Sequence, residues 1–227
     1  MIECNKCNGS GYIIYADEQG YNRVRECECL PRRKALERLQ ASGLDGVIEQ
    51  YTFEKFATET EWHKQMMDKA QKFIKENGKC FFIGGAVGCG KTHICTAILG
   101  ELLKTRAIKY VVWQDLVTRL KQDTYGNEEQ YYKEMDKLQT VEVLYIDDFL
   151  KVEPTKSDLD KAFQIINARY NASKNKDIIT IISSERFSDD IIKIDEATGS
   201  RIIEMAKEFV LNISKGKNKN IRLQHPE

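Results

Sequence analysis

The sequence predicts an α/β protein, a three-layer αβα sandwich around a parallel sheet, preceded by a small cysteine-bearing module. Three observations carry this. Short apolar β-like runs alternate with stretches of helical periodicity, the pattern of a parallel sheet with crossover helices. One such run opens into Gly85-Ala86-Val87-Gly88-Cys89-Gly90-Lys91-Thr92, a G-x-x-x-x-G-K-[ST] loop set between a strand and a helix. Four of the seven cysteines, Cys4, Cys7, Cys27 and Cys29, fall within the first thirty residues as C-x2-C and C-x-C pairs.

The cysteine module comes first. Tyr12-Ile13-Ile14-Tyr15, a turn near Gln19-Gly20, and Tyr21-Asn22-Arg23-Val24 read as a hairpin that brings Cys27 and Cys29 to the Cys4–Cys7 knuckle. Four thiolates gathered in this way make a closed tetrahedral site, which zinc fills best. A segment this short builds no core without a metal or a bridge. We therefore expect structural zinc within a module of residues 1–35, followed by a linker at 36–56. Pro31 to Gly43 reads as a basic helix carrying Arg32, Arg33, Lys34 and Arg38. Tyr51-Thr52-Phe53-Glu54-Lys55-Phe56 then places three aromatics in six residues, either as a strap beside a nucleotide base or as an anchor of the linker on the core.

Residues 57–227 make the main domain. Glu61 to Asn77 has apolar residues at helical spacing (Trp62, Met66, Met67, Ala70, Phe73, Ile74), with Gly78 as the stop. Lys79 to Gly84 is a buried strand entering the glycine loop, and Thr92 to Leu99 a helix leaving it. Ile108 to Trp113 is a second strand. Two helices broken at Tyr125-Gly126-Asn127 fill the span from Asp115 to Thr140. Val143 to Asp148 is a third strand, Ile178 to Ser184 a fourth, and Phe209 to Ile213 a short fifth.

The chemistry sits at two strand tips. Glycines let the loop backbone curl so that successive N–H groups point at a β-phosphate. Lys91 brings a point charge to the β/γ-phosphates of ATP, and the Thr92 hydroxyl can ligate magnesium. The third strand runs apolar into Asp147-Asp148, about 55 residues beyond the loop. Asp147 is expected to hold the magnesium and Asp148 to polarise the attacking water.

Composition narrows the class. Lys+Arg and Asp+Glu balance at 35 each, so no global positive field announces a nucleic-acid partner. No run of about eighteen apolar residues exists to span a membrane, and the polar N-terminus is no secretory signal. A reduced, cytoplasmic setting follows from thiols inside a nucleotide-binding domain; Cys80, Cys89 and Cys95 read as buried thiols without a redox role.

The extra strand between the loop and the acidic strand places the chain with the additional-strand P-loop ATPases. The cysteine knuckle with Gly9 and Gly11, Tyr51-Thr52-Phe53, the Gly88-Cys89-Gly90-Lys91-Thr92-His93 loop and Tyr145-Ile146-Asp147-Asp148 together resemble the DnaC/DnaI-type replicative helicase loaders of bacteria and their phages. Thr180 to Arg186 and Gly199-Ser200-Arg201-Ile202 extend the resemblance over nearly the whole chain. The IstB-like transposition ATPases share the core.

The resemblance implies an AAA+ ATPase of the initiator clade, with the hexameric replicative helicase and single-stranded DNA as partners. It also implies self-association or a helicase-templated oligomer in which Arg201 is the arginine finger on a neighbour's γ-phosphate. Two departures stand out. The fourth strand ends in Ser183-Ser184-Glu185 where such ATPases usually carry a polar sensor, so the role falls to Ser184. The residues after Arg201 lack a full helical lid, which predicts slow or partner-dependent hydrolysis. Arg119, Lys121, Tyr125 and Lys133 are candidate DNA contacts within a segment whose charges nearly cancel. Two other readings stay open: an IstB-like regulator of DNA transposition, and a non-cycling helicase inhibitor.

Overall fold

The computed structural model describes residues 4–30 apart from Gly9 and Glu18, then Glu37, Leu44, residues 46–214, Gly216 and Asn220. The basic helix expected at Pro31–Gly43 and the tail lysines Lys215, Lys217 and Lys219 with Arg222 lie outside the described residues, apart from Glu37.

Strands β1 (Tyr12–Ala16) and β2 (Asn22–Glu26) form the antiparallel hairpin, in register from Tyr12 opposite Glu26 to Ala16 opposite Asn22. Asp17 closes the turn. Its Oδ1 accepts from the Gln19 N–H at 3.0 Å and the Tyr21 N–H at 2.9 Å, the side-chain-to-backbone bonding that suits aspartate to turns.

The main domain follows in the order α1 (Glu61–Lys75), β3 (Cys80–Gly85), α2 (Lys91–Leu102), β4 (Ile108–Val112), α3 (Trp113–Gly126), α4 (Glu128–Thr140), β5 (Val143–Asp147), α5 (Lys156–Ser173), β6 (Ile179–Ser184), α6 (Ser188–Ile194), α7 (Glu196–Ala206) and β7 (Val210–Ile213). The five strands form one parallel sheet in the order β4-β5-β6-β3-β7. Strand alternation divides the core in two. Phe81, Ile83 and Tyr145 face Met66, Phe73, Ile94 and Ile98 of α1 and α2. Phe82, Leu144 and Ile146 face Leu116, Leu138, Ile165 and Ile202 of the helices on the other side. The expected three layers are thus present, with side chains of successive residues pointing to opposite faces.

Boundaries differ from the sequence reading where one residue changes conformation. Trp113 opens α3 rather than ending β4, and β5 stops at Asp147 because Asp148 turns to φ +53°. Helix α5 is an addition; its signal is the capping box at Thr155 and Asp158, where each side chain bonds the other's backbone N–H. Arg169 on α5 is fully buried. Its guanidinium donates to Thr180 Oγ1 (2.8 Å) and to the carbonyls of Ile179 (2.6 Å), Leu138 (3.0 Å) and Val141 (2.9 Å), so every contact is a hydrogen bond that offsets a costly desolvation. Burial also lifts the Cys80 thiol to about 12 and the Cys95 thiol well above its usual value, which keeps both inert.

His63 on α1 gives a pH prediction. It is 4 % exposed, neither ring nitrogen has a hydrogen-bond partner, and the rings of Trp62 and Phe56 lie 3.5 and 5.4 Å away. Burial lowers its pKa below 6.5, opposed in part by the charge of Glu59. With the folded value below the unfolded one, its contribution is complete above about pH 6.5 and is lost as pH falls through the folded value. The melting temperature should therefore drop between pH 7 and pH 5, and His63→Phe should flatten that drop in thermal scans. An unchanged slope in the variant would assign the acid sensitivity elsewhere.

Candidate nucleotide site and metal centre

The phosphate loop is shaped at its first residue. Gly85 has φ +110°, a conformation that only glycine enters freely, and a Cβ there would strike the carbonyl of Ile213 on β7. The Ala86 N–H donates to that same carbonyl at 3.0 Å, which fixes where the loop leaves the sheet. The loop ends at Gly90 (φ +88°), and α2 starts with neither a side-chain cap nor an acidic residue in its first turn. Its N–H groups and the positive end of its dipole thus face an anion site without competition. Lys91 is folded along the loop, with Nζ donating to the carbonyls of Gly85 (3.1 Å) and Ala86 (2.7 Å).

Asp147 reaches the same place from the tip of β5. It is 7 % exposed and accepts from Tyr145 OH (2.9 Å), Ser183 Oγ, its neighbour's N–H (3.1 Å) and Tyr110 OH (3.3 Å). Thr92 Oγ1 lies 3.4 Å from both its oxygens, so the two expected magnesium ligands meet although 55 residues separate them. Burial and the charge of Asp147 raise the pKa of both tyrosines, keeping them protonated as donors. A carboxylate oriented by several donors beside a threonine hydroxyl suits a hard divalent cation.

Asp148 and Leu150 both adopt left-handed backbone, at φ +53° and +50°. The strain is held by three bonds: Phe149 N–H to Ser183 O (2.8 Å), Ser184 Oγ to Phe149 O (2.7 Å) and Arg186 Nε to Leu150 O (2.5 Å). Here the serine expectation changes. Ser184 is fully buried and spent on that loop, whereas Ser183 touches Asp147 and Glu185 lines the cleft. Alternation along β6 explains the switch, since adjacent residues point to opposite sides.

A cleft of about 410 Å³ joins these groups, lined by the loop, Lys91, Thr92, His93, Asp148, Glu185, Tyr51 and Lys151. Lys151 carried no sequence signal. The aromatic segment anchors on the core through Phe53 and Phe56, and Tyr51 lines the cleft with its ring 5.0 Å from that of His93. His93 Nε2 bonds the Thr52 carbonyl at 2.9 Å, and burial lowers its pKa.

Arg201 lies elsewhere. On α7 it donates to Asn167 Oδ1 (3.0 Å) and the Ala197 carbonyl (2.6 Å), over the rings of Phe163 and Tyr170, away from the cleft of its own chain. Of the candidate DNA contacts, Lys121 pairs with Asp158 at 2.7 Å and Lys133 with Glu129, while Arg119 is exposed. The apolar side of α3 and α4 (Leu116, Leu120, Leu138) is buried against the sheet.

In the N-terminal module the Sγ atoms of Cys4, Cys7, Cys27 and Cys29 all lie within 4.8 Å of one another, with Cys4–Cys27 at 3.7 Å and Cys7–Cys29 at 3.5 Å. Zinc–sulfur bonds of about 2.3 Å give tetrahedral edges of about 3.8 Å, so the four thiols fit that ion. The Gly11 N–H donates to Cys7 Sγ at 3.3 Å, a bond that would orient the sulfur and steady it as a thiolate were a metal bound. Among the described residues no other cluster of this kind occurs. No helix among them is long and apolar enough to cross a membrane.

Residues 47–206 match the family model of the bacterial DnaA ATPase domain. YqaM of Bacillus subtilis strain 168 is 30 % identical over 83 % of this chain, which spans 63 % of that relative's length. The replicative helicase loader DnaC of Escherichia coli K12 is 27 % identical over 79 % of this chain and 76 % of its own. Among solved structures, the DnaC helicase loader superposes with a TM-score of 0.59 at 21 % identity, covering 75 % of this chain and 99 % of that one.

Proposed function

This chain belongs to the bacterial DnaA ATPase-domain family and is a replication-related AAA+ protein of the DnaC type; from that premise we propose that it is an ATP-dependent helicase loader. In this reading it binds the hexameric replicative helicase and single-stranded DNA, and its nucleotide state times ring loading and release. The observation that carries the nucleotide half is the meeting of Thr92 with Asp147 beside an uncapped helix N-terminus and Lys91.

Each residue then has a task. The Gly85–Thr92 loop cradles the phosphates with Lys91 and with the backbone N–H groups that follow Ala86, whose own N–H is held by Ile213, and Tyr51 and His93 border the same cleft. Thr92 and Asp147 would hold Mg2+, which supplies charge neutralisation at the phosphoryl group. Asp148 orients and polarises the attacking water, supported by Ser183, which fixes Asp147 and also accepts from the Asp148 N–H at 3.3 Å. Arg201 would act on the nucleotide of a neighbouring copy after leaving its aromatic seat on α5, which ties completion of the site to assembly. The cysteine module of residues 1–35 is the helicase-gripping part, and residues 36–56 link it to the ATPase domain at 57–227.

The test is steady-state ATP turnover by the full chain alone, with single-stranded DNA, and with the replicative helicase of its host. Slow turnover alone and a clear rise with either partner is the expected result. Brisk hydrolysis by the isolated chain would contradict a site completed only on assembly.

A further inference from the structure

We infer that Lys151 reads the γ-phosphate in cis, distinguishing a bound nucleoside triphosphate from the diphosphate. The inference rests on the nucleotide reading above and adds a specificity residue to it. Lys151 lies just past β5, and its Nζ stands 2.8 Å from Glu185 Oε1 and 3.2 Å from Asp148 Oδ2. It lines the same cleft as Lys91 and Thr92. Strand order β5-β6-β3 sets the Lys151 loop two strands from the strand that feeds the phosphate loop, so the two lysines reach the cleft from different tips of the sheet.

The presentation of Lys151 is fixed. The left-handed Asp148 and Leu150 before it are pinned through Phe149 to Ser183 and Ser184, and through Leu150 to Arg186. Its ammonium is nevertheless on a flexible stem and 44 % exposed, with three donors for two carboxylates. A phosphoryl group entering beside Asp148 and Glu185 meets two like charges, and Lys151 is the cation seated between them. By turning one donor to a γ-oxygen, Lys151 removes that repulsion and loosens its hold on Asp148, freeing the carboxylate for a water. A diphosphate has no γ-oxygen to offer and makes no such exchange. A residue that contacts one nucleotide and not the other is what a nucleotide-dependent state change requires.

The test is calorimetric binding of ADP and of a non-hydrolysable ATP analogue, with Mg2+, to the full chain carrying Lys151→Ala, Lys151→Gln or Lys151→Arg. The side chain is on the surface, and a thermal melt confirms that each variant is folded. Loss of a charge-assisted bond predicts roughly tenfold weaker analogue binding in the first two variants, ADP affinity within about twofold of wild type, and retention by Lys151→Arg. Equal weakening of both nucleotides, or no change in either, would overturn the inference while leaving the nucleotide site standing. A wild-type chain that binds neither nucleotide would sink the nucleotide reading and this inference together.

Discussion

Stripping the metal with a strong chelator, or replacing Cys27 with serine, should unfold the first thirty residues and leave the melting of the main domain unchanged. The reason is the near absence of a core in the hairpin. Ile14 is 70 % exposed and its cross-strand partner Val24 63 % exposed, so apolar burial contributes little. What closes the module is the set of four thiols, and metal binding at such sites is worth about 10–16 kcal/mol of apparent folding free energy at neutral pH. Limited proteolysis with a colorimetric zinc assay reads the outcome. One zinc ion should leave per chain as cleavage within the hairpin becomes fast. Persistent protection after metal loss would mean that the hairpin is held by something other than the thiols.

The second large effect is at Lys91. Lys91→Ala should weaken binding of ATP and ADP by roughly 100-fold, the scale of a charge-assisted bond lost from a sheltered site. Stability should fall by about 1–3 kcal/mol at most, the cost of leaving the buried loop carbonyls of Gly85 and Ala86 without their lysine donor. The contrast with Lys151 is informative, since Lys91 is expected to serve both nucleotides and Lys151 only one. A Lys91→Ala chain with wild-type affinity for both would remove the phosphate loop from the account.

The readability of the sequence followed how local each signal was. Strands β3 to β7 were visible because parallel strands buried on both faces read as unbroken apolar runs, and the phosphate loop because its glycines and lysine are contiguous. The cysteine quartet was legible from spacing alone. Helix α5 was not read because its core-facing side includes Arg169, whose burial depends on carbonyls offered by β6 and the end of α4. The sensor role expected of Ser184 is not visible in its contacts: Ser184 bonds the Phe149 carbonyl, whereas Ser183, one residue earlier and so on the other side of β6, donates to Asp147. Lys151 and Glu185 stayed silent because two common surface residue types acquire meaning only when β5 and β6 lie side by side.

The central claim, that the chain grips a replicative helicase under nucleotide control, is tested most directly by native mass spectrometry. The zinc-loaded chain would be mixed with the hexameric replicative helicase of its host, with and without ATP, and again after removal of residues 1–35. A defined complex is expected, one whose population changes with nucleotide and which is lost with the module. No complex under any nucleotide condition would contradict the claim.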